Sequence, residues 1–204
     1  MIKSNTLNTE ILFQLLEKYY KPALICDIGT MDASHSVLLR KISKKSKIIA
    51  FEANPYNYNA IIESGISKQY DIDVIHKAVT NNNGELTFNI QSYSANKVND
   101  WKAGTSSILQ RSESVGNTEP VTVDAIRLDR YLEQCDQNNS PSALWIDVEG
   151  AGYQVLEGLS GIANSVNFLQ IEVETKEVWQ GQKLKTDVQK LLTEFGFIEI
   201  GRGK

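Results

Sequence analysis

The chain has 204 residues, 41% hydrophobic and 23% charged, with a formal net charge of −4, a balance that suits one α/β-sized domain with a substantial core. With no basic surplus to neutralise phosphates, a nucleic-acid partner is disfavoured, and no apolar run approaches the roughly 20 residues that span a bilayer. MIKSNTLNTE lacks the apolar centre of a signal peptide, and Cys26 and Cys135 have no metal-like spacing, so a cytoplasmic protein without a membrane span is expected.

Ile11–Tyr20 carries apolar residues at helical spacing and is closed by Pro22, making 1–21 an N-terminal helical segment. Ala23–Cys26 then reads as a strand buried on both faces, ending in Asp27 and Gly29 (ALICDIGT, 23–30). Ligands of open α/β sheets bind beyond the carboxyl ends of the strands. A glycine at such an end leaves room for a ligand beside the backbone, and the free N–H groups of the next helix point into the same crevice.

The spacing predicts a second helix over Ser34–Lys44 and a second strand over Lys47–Glu52 (KIIAFE). Asn54 and Pro55 read as cap and first residue of a third helix running to Ser64, with Gly65 as its stop. Ile72–Val79 is a third strand, and Asn81–Gly84 turns into an alternating strand over Glu85–Gln91. The polar stretch 92–120 has little periodicity and reads either as a lid or substrate loop or as a mobile insertion. Val121–Val123 is strand-like, and Asp129 caps a short helix to Cys135.

Ala143–Asp147 (ALWID) repeats the opening pattern, with Glu149 and Gly150 in the turn and a helix over Tyr153–Leu159. Asn167–Val173 is another core strand with Glu172 near its end, Thr186–Phe195 the last helix and Phe197–Ile200 the last strand. Strands alternating with helices give an α/β fold with a doubly wound, mostly parallel sheet, in a single domain over 1–204.

Three strands thus end in carboxylates: Asp27, Glu52 and Asp147. Glu52 follows Gly29 by about 20 residues, the interval at which an acid reaches a nucleotide's ribose hydroxyls. The stretch Gly29–Ser34 lacks the second glycine of a pyrophosphate loop, and Asp32 adds negative charge there. An adenosyl ligand carrying an amino acid and a sulfonium therefore fits better than NAD. The alternative, that each acid caps a neighbouring helix, weakens with three at successive strand ends.

The pieces LICDIGT (24–30), FEANPYNY (51–58), HKAVTNNNGELTF (76–88), GTSSIL (104–109), VTVDAIRLDRYL (121–132), LWIDVEGAGYQVLEGL (144–159) and LQIEVE (169–174) resemble the FkbM-type methyltransferases. The resemblance implies a Rossmann-like class I methyltransferase fold and S-adenosylmethionine-dependent O-methylation of a hydroxyl on a small molecule or sugar. Carried over by position, Asp27, Gly29 and Thr30 line the methionine and ribose part, and Glu52 holds the ribose hydroxyls beside Ala53 and Asn54. Lys77 and Ala78 edge the adenine, while Asp147 lies beside the methyl group, with Glu149 and Gly150 shaping that turn.

The chain departs from the family pattern at Met31, Ala33, Trp145 and Gly152, and it stops before the usual last antiparallel strand, which the sheet is expected to lack. Asp147 is the candidate base or acceptor-orienting acid, with Glu172 across the crevice, and His35 is a second candidate base or else a capping residue. A divalent ion shared by Asp147 and Glu172 is a lesser alternative, since no third ligand is evident in the sequence. A degenerate adenosyl-binding domain and an NAD-dependent oxidoreductase are the other readings. The residues assign no oligomeric state.

Overall fold

The computed structural model describes residues 8–92, 104–113 and 116–203. Its centre is a five-stranded sheet ordered β3-β2-β1-β7-β8, built from β1 (Leu24–Ile28), β2 (Lys47–Phe51), β3 (Asp73–Ile75), β7 (Ser142–Ile146) and β8 (Val166–Ile171). Every pairing in it is parallel, as expected of continuous apolar runs separated by helices. A second sheet, β4-β6-β5, is formed by β4 (Ala78–Val79), β5 (Gly84–Ser92) and β6 (Asn117–Ile126), with β5 and β6 antiparallel.

Side chains alternate across the large sheet, and each face packs its own helices. On one face Leu24, Cys26, Ile28, Ile49, Phe51, Leu144 and Ile146 meet residues of α5 (Leu128–Gln134), α6 (Gly152–Glu157) and α7 (Lys185–Glu194). On the other, Ile25, Ile48, Ala50, Ala143 and Phe168 meet Phe13 of α1 (Thr9–Tyr20) and Val37 and Leu39 of α2 (Ser34–Ile42). Phe13 sits edge-on to both Trp145 and Phe168, at centroid distances of 5.3 and 4.9 Å. Burial pushes the Cys26 thiol pKa up, in keeping with its place in the core.

The third helix, α3 (Pro55–Ser64), starts and stops as its sequence predicts: Asn54 Oδ1 accepts from Tyr56 N at 3.0 Å, Pro55 opens it, and Gly65 closes it at φ 72°. A short α4 (Ile66–Gln69) follows. Other expectations need correction. Ile72–Val79 is two strands in two sheets, because Lys77 N bonds back to Ile75 O at 3.0 Å and turns the chain out of the large sheet. β6 begins at Asn117 inside the polar stretch, since β5 supplies a ladder partner as far as Ser92.

Asp129 is not a cap; Arg127 holds that position, and Asp129 pairs with its guanidinium at 2.5 Å and accepts from Gly161 N. Phe197–Ile200 is not a strand. Gly196 reverses the chain at φ 86°, Phe197 N bonds Leu192 O, and only Phe197 packs on the core, with Ile198 83% exposed. Among the described residues β8 is the edge of the large sheet and no antiparallel strand joins it. No described helix is long and apolar enough to cross a membrane.

Candidate active site

Register decides which acids meet. Ile28 of β1 lies opposite Phe51 of β2 and Ile146 of β7. Gly29, not Asp27, is therefore level with Glu52 and Asp147, the residues just past those strands. Asp27 lies within β1 opposite Ala50 and Trp145, so the pleat sends its side chain to the α2 face. There it is 1% exposed and accepts hydrogen bonds from Thr30 Oγ1 at 2.7 Å and Ser36 Oγ at 2.5 Å. His35 Nδ1 lies 3.6 Å from its other oxygen, and the His35 ring packs on Trp145 at 3.9 Å.

Beyond the level strand ends is a cleft with about 550 Å³ of space between its walls, part of it open to solvent. Of the residues singled out for the cofactor, Gly29, Glu52, Ala53, Lys77, Ala78 and Asp147 line it. Asp27, Thr30 and Asn54 do not; they are buried behind it and hold its turns. His35 is also absent from the lining. Of the three strand-end acids, Glu52 and Asp147 line this cleft and Asp27 does not; Asp27 supports the turn after β1 instead.

Gly29, which lines the cleft, also answers a backbone need. At φ 87°, a Cβ there would overlap the Asp147 carbonyl oxygen, so the residue lets the turns after β1 and β7 touch. Neither departure in that turn plugs the cleft. Ala33 is fully buried in the left-handed region at φ 62° and does not line it. Met31 forms part of the wall, against Gly104. One N–H expected to be free at the start of α2, that of Ser34, is held by Asp32 Oδ1 at 2.9 Å.

Glu52 is held at the cleft wall by two backbone donors, Met31 N on Oε2 and Asn54 N on Oε1, both at 2.7 Å. Burial nevertheless pushes its pKa up to about 7, against the opposing effect of those N–H groups and of the Asn57 amide. The Lys77 ammonium is turned to Asp124, 2.7 Å away. His76 stacks on Tyr58 with centroids 4.7 Å apart and is not among the residues that line the cleft. Phe88 of β5 and Ile108 add apolar surface to the lining.

The stretch 92–120 divides. Gly104, Ser106 and Ile108 line the cleft, and 117–120 belong to β6; the expectation for 93–103, 114 and 115 lies outside the described residues. Ser107 ties this stretch to the turn after β7, donating to Glu149 O at 2.6 Å.

Asp147 and Glu149 line the cleft and Glu172 does not, but the three offer carboxylate oxygens all within 4.8 Å of one another. Burial, then the Asp147 charge, pushes Glu149 up to about 7 and Glu172 up to about 8. The turn that gathers them is left-handed at both Glu149 (φ 51°) and Gly150 (φ 80°), and it rests on Trp179, which a Cβ at Gly150 would overlap. Trp179 is fully buried and forms no wall of the cleft. Three such oxygens could share protons or hold a divalent cation; Glu149 is the third ligand not evident from the sequence. Sequence reasoning also missed Asn57, which lines the cleft. Its signal was a polar residue one helical turn before buried Ile61, on the inward face of α3.

The chain matches the family model of the methyltransferase FkbM domain over residues 27–199. It is 25% identical over 200 residues to the hexuronic acid methyltransferase AglP of Haloferax volcanii, covering 95% of this chain and 76% of that protein. It is 22% identical over 204 residues to the 2-O-methyltransferase NoeI of Sinorhizobium fredii, covering 97% of this chain and 82% of that one. A precorrin-6y C5,15-methyltransferase structure from Geobacter metallireducens aligns with TM-score 0.45 and 10% identity, over 97% of this chain and 76% of that chain.

Proposed function

Since this chain belongs to the FkbM methyltransferase family, we propose that it transfers the methyl group of S-adenosylmethionine to a sugar hydroxyl. One observation carries the reading: Glu52 and Asp147 line the same cleft at the carboxyl edge of the parallel sheet. A carboxylate at each end suits a ligand with a hydroxylated ribose at one end and a cationic centre at the other. The orphaned acceptor of Asn57 in the same wall fits such a ligand too. The relatives named for hexuronic acid and for 2-O-methylation support a carbohydrate acceptor.

When bound, S-adenosylmethionine supplies a methyl group on a sulfonium, open to in-line displacement by oxygen. Glu52 accepts from the ribose. Ala53 and Ala78, with Phe88 and Ile108, offer apolar surface for an adenine, edged by Lys77. Holding acceptor and methyl group in line can supply roughly 7–11 kcal/mol of the barrier.

Asp147 takes the acceptor's proton or orients its hydroxyl, worth a further factor of about 10²–10⁴. Glu149 and Glu172, whose pKa values burial and the Asp147 charge push up to about 7 and about 8, hold protons near neutral pH and limit the negative charge the acceptor meets. His35, outside the lining and packed on Trp145, is not placed to act on the acceptor from this cleft.

The test is methyl transfer from radiolabelled S-adenosylmethionine to a panel of uronic acids and neutral hexoses, beside calorimetry with S-adenosylhomocysteine and NAD. Transfer to a sugar oxygen is expected. Tight NAD binding without S-adenosylhomocysteine binding would sink the cofactor assignment. Binding with no transfer to any hydroxyl would favour a degenerate adenosyl-binding domain.

A further inference from the structure

Asn57 is 4% exposed and lies in the cleft wall, and among the described residues its Oδ1 meets no hydrogen-bond partner. Buried acceptors are seldom left without a donor, because desolvation is then uncompensated. Two structural uses of this side chain fail. Asn57 is the third residue of α3, from which a polar side chain commonly reaches back to the N-cap N–H. That N–H, of Asn54, is already taken by Glu52 Oε1 at 2.7 Å. Nor does bracing Glu52 employ the whole amide. The Asn57 amide opposes the rise of the Glu52 pKa, which only its NH2 end can do by donating. The carbonyl end is left over.

Glu52 itself has capacity to spare, since each of its oxygens receives one backbone N–H and can accept again. The wall therefore presents two neighbouring acceptors with capacity left over: Asn57 Oδ1, unpartnered among the described residues, and the Glu52 carboxylate, whose oxygens can accept again. A phosphate or carboxylate ligand, itself an acceptor, would be repelled. Lys77, the one cation in the described lining, is engaged by Asp124. A vicinal diol brings two O–H donors a short distance apart, which is the complement required. We propose that Asn57 is a cofactor-binding residue whose Oδ1 accepts from one ribose hydroxyl of the adenosyl ligand while Glu52 accepts from the other. The assignment rests on the adenosyl reading of the cleft and adds the second half of its diol clamp.

The experiment is calorimetry on the full chain with S-adenosylhomocysteine, 5′-methylthioadenosine and its 2′-deoxy and 3′-deoxy analogues. Asn57→Ala is expected to weaken S-adenosylhomocysteine about five- to tenfold, the worth of one hydrogen bond. Wild type should discriminate against both deoxy analogues, and the variant should lose discrimination against one of them only. If Asn57→Ala does not fold, Asn57→Ser, which keeps a polar group at the helix start but cannot reach as far, is read the same way. A variant that binds and discriminates as wild type does would overturn the role of Asn57. So would a variant that loses discrimination at the adenine amino group instead, tested with inosine against adenosine. Wild type that binds no adenosyl compound would overturn the adenosyl reading beneath it.

Discussion

The turns after β1 and β7 look alike in sequence, each an apolar strand running into an acid and then a glycine, yet they fold into opposite environments. After β1, Asp27 is enclosed, and two hydroxyls donate to it with the edge of His35 close by. After β7, Asp147 is exposed and gathered with Glu149 and Glu172, whose pKa values are pushed up by burial and then by the Asp147 charge. The first turn has spent its chemistry on its own structure. The second keeps an electrostatic cost that a proton, a cation or a cationic ligand relieves, the condition of a binding site. A two-residue offset in register separates the two.

Breaking each turn should have a different signature. Asp147→Asn is expected to lower kcat by about 10²–10⁴ and leave thermal stability nearly unchanged, since the side chain is exposed; steady-state kinetics beside a thermal melt would check both. Gly29→Ala should be the most damaging to the fold. It forces a Cβ onto the Asp147 carbonyl at a left-handed φ, and about 3 kcal/mol or more in a urea titration is expected for such strain. Asp27→Ala should cost about 2–3 kcal/mol by the same titration, because Thr30 and Ser36 lose a buried acceptor. Its remaining folded fraction should still bind S-adenosylhomocysteine.

The pH response sharpens the comparison further. Folded Glu149 and Glu172 keep protons that their unfolded counterparts release near pH 4.5. The folded state thus binds more protons, so stability is fullest below that pH and falls as pH rises through about 7 and 8. Glu172→Gln should flatten part of that fall in melts between about pH 5 and 9. Thr30→Ser, which keeps the hydroxyl to Asp27, should produce the smallest change, under about 1 kcal/mol. An equally steep pH response in Glu172→Gln would show that the folded Glu172 carboxyl is not held above its unfolded value.

Much of this was legible where a residue's own chemistry dictates the outcome. The runs LICDI, KIIAF and SALWI could only be buried parallel strands, and Asn54, Pro55 and Gly65 punctuate α3 as their backbone preferences require. What escaped depends on partners. The break at Lys77 is a backbone hydrogen bond that composition does not encode. Asn117–Pro120 becomes strand because β5 lies opposite, whereas Phe197–Ile200 has strand-forming residues and no ladder.

The site follows the same rule. Glu52 and Asp147 were evident as acids at strand ends, but the side to which Asp27 points is set by register with β2 and β7. Asn57 was hidden among polar residues of a helix start until its burial was seen.

The account stands or falls on Glu52 facing an adenosyl ligand in the cleft it shares with Asp147. S-adenosylhomocysteine titrated calorimetrically into wild type and Glu52→Gln, which keeps shape and one acceptor, tests this directly. The prediction is measurable binding by wild type and a loss of about tenfold or more in the variant. Equal affinity in two folded proteins would place the ligand elsewhere.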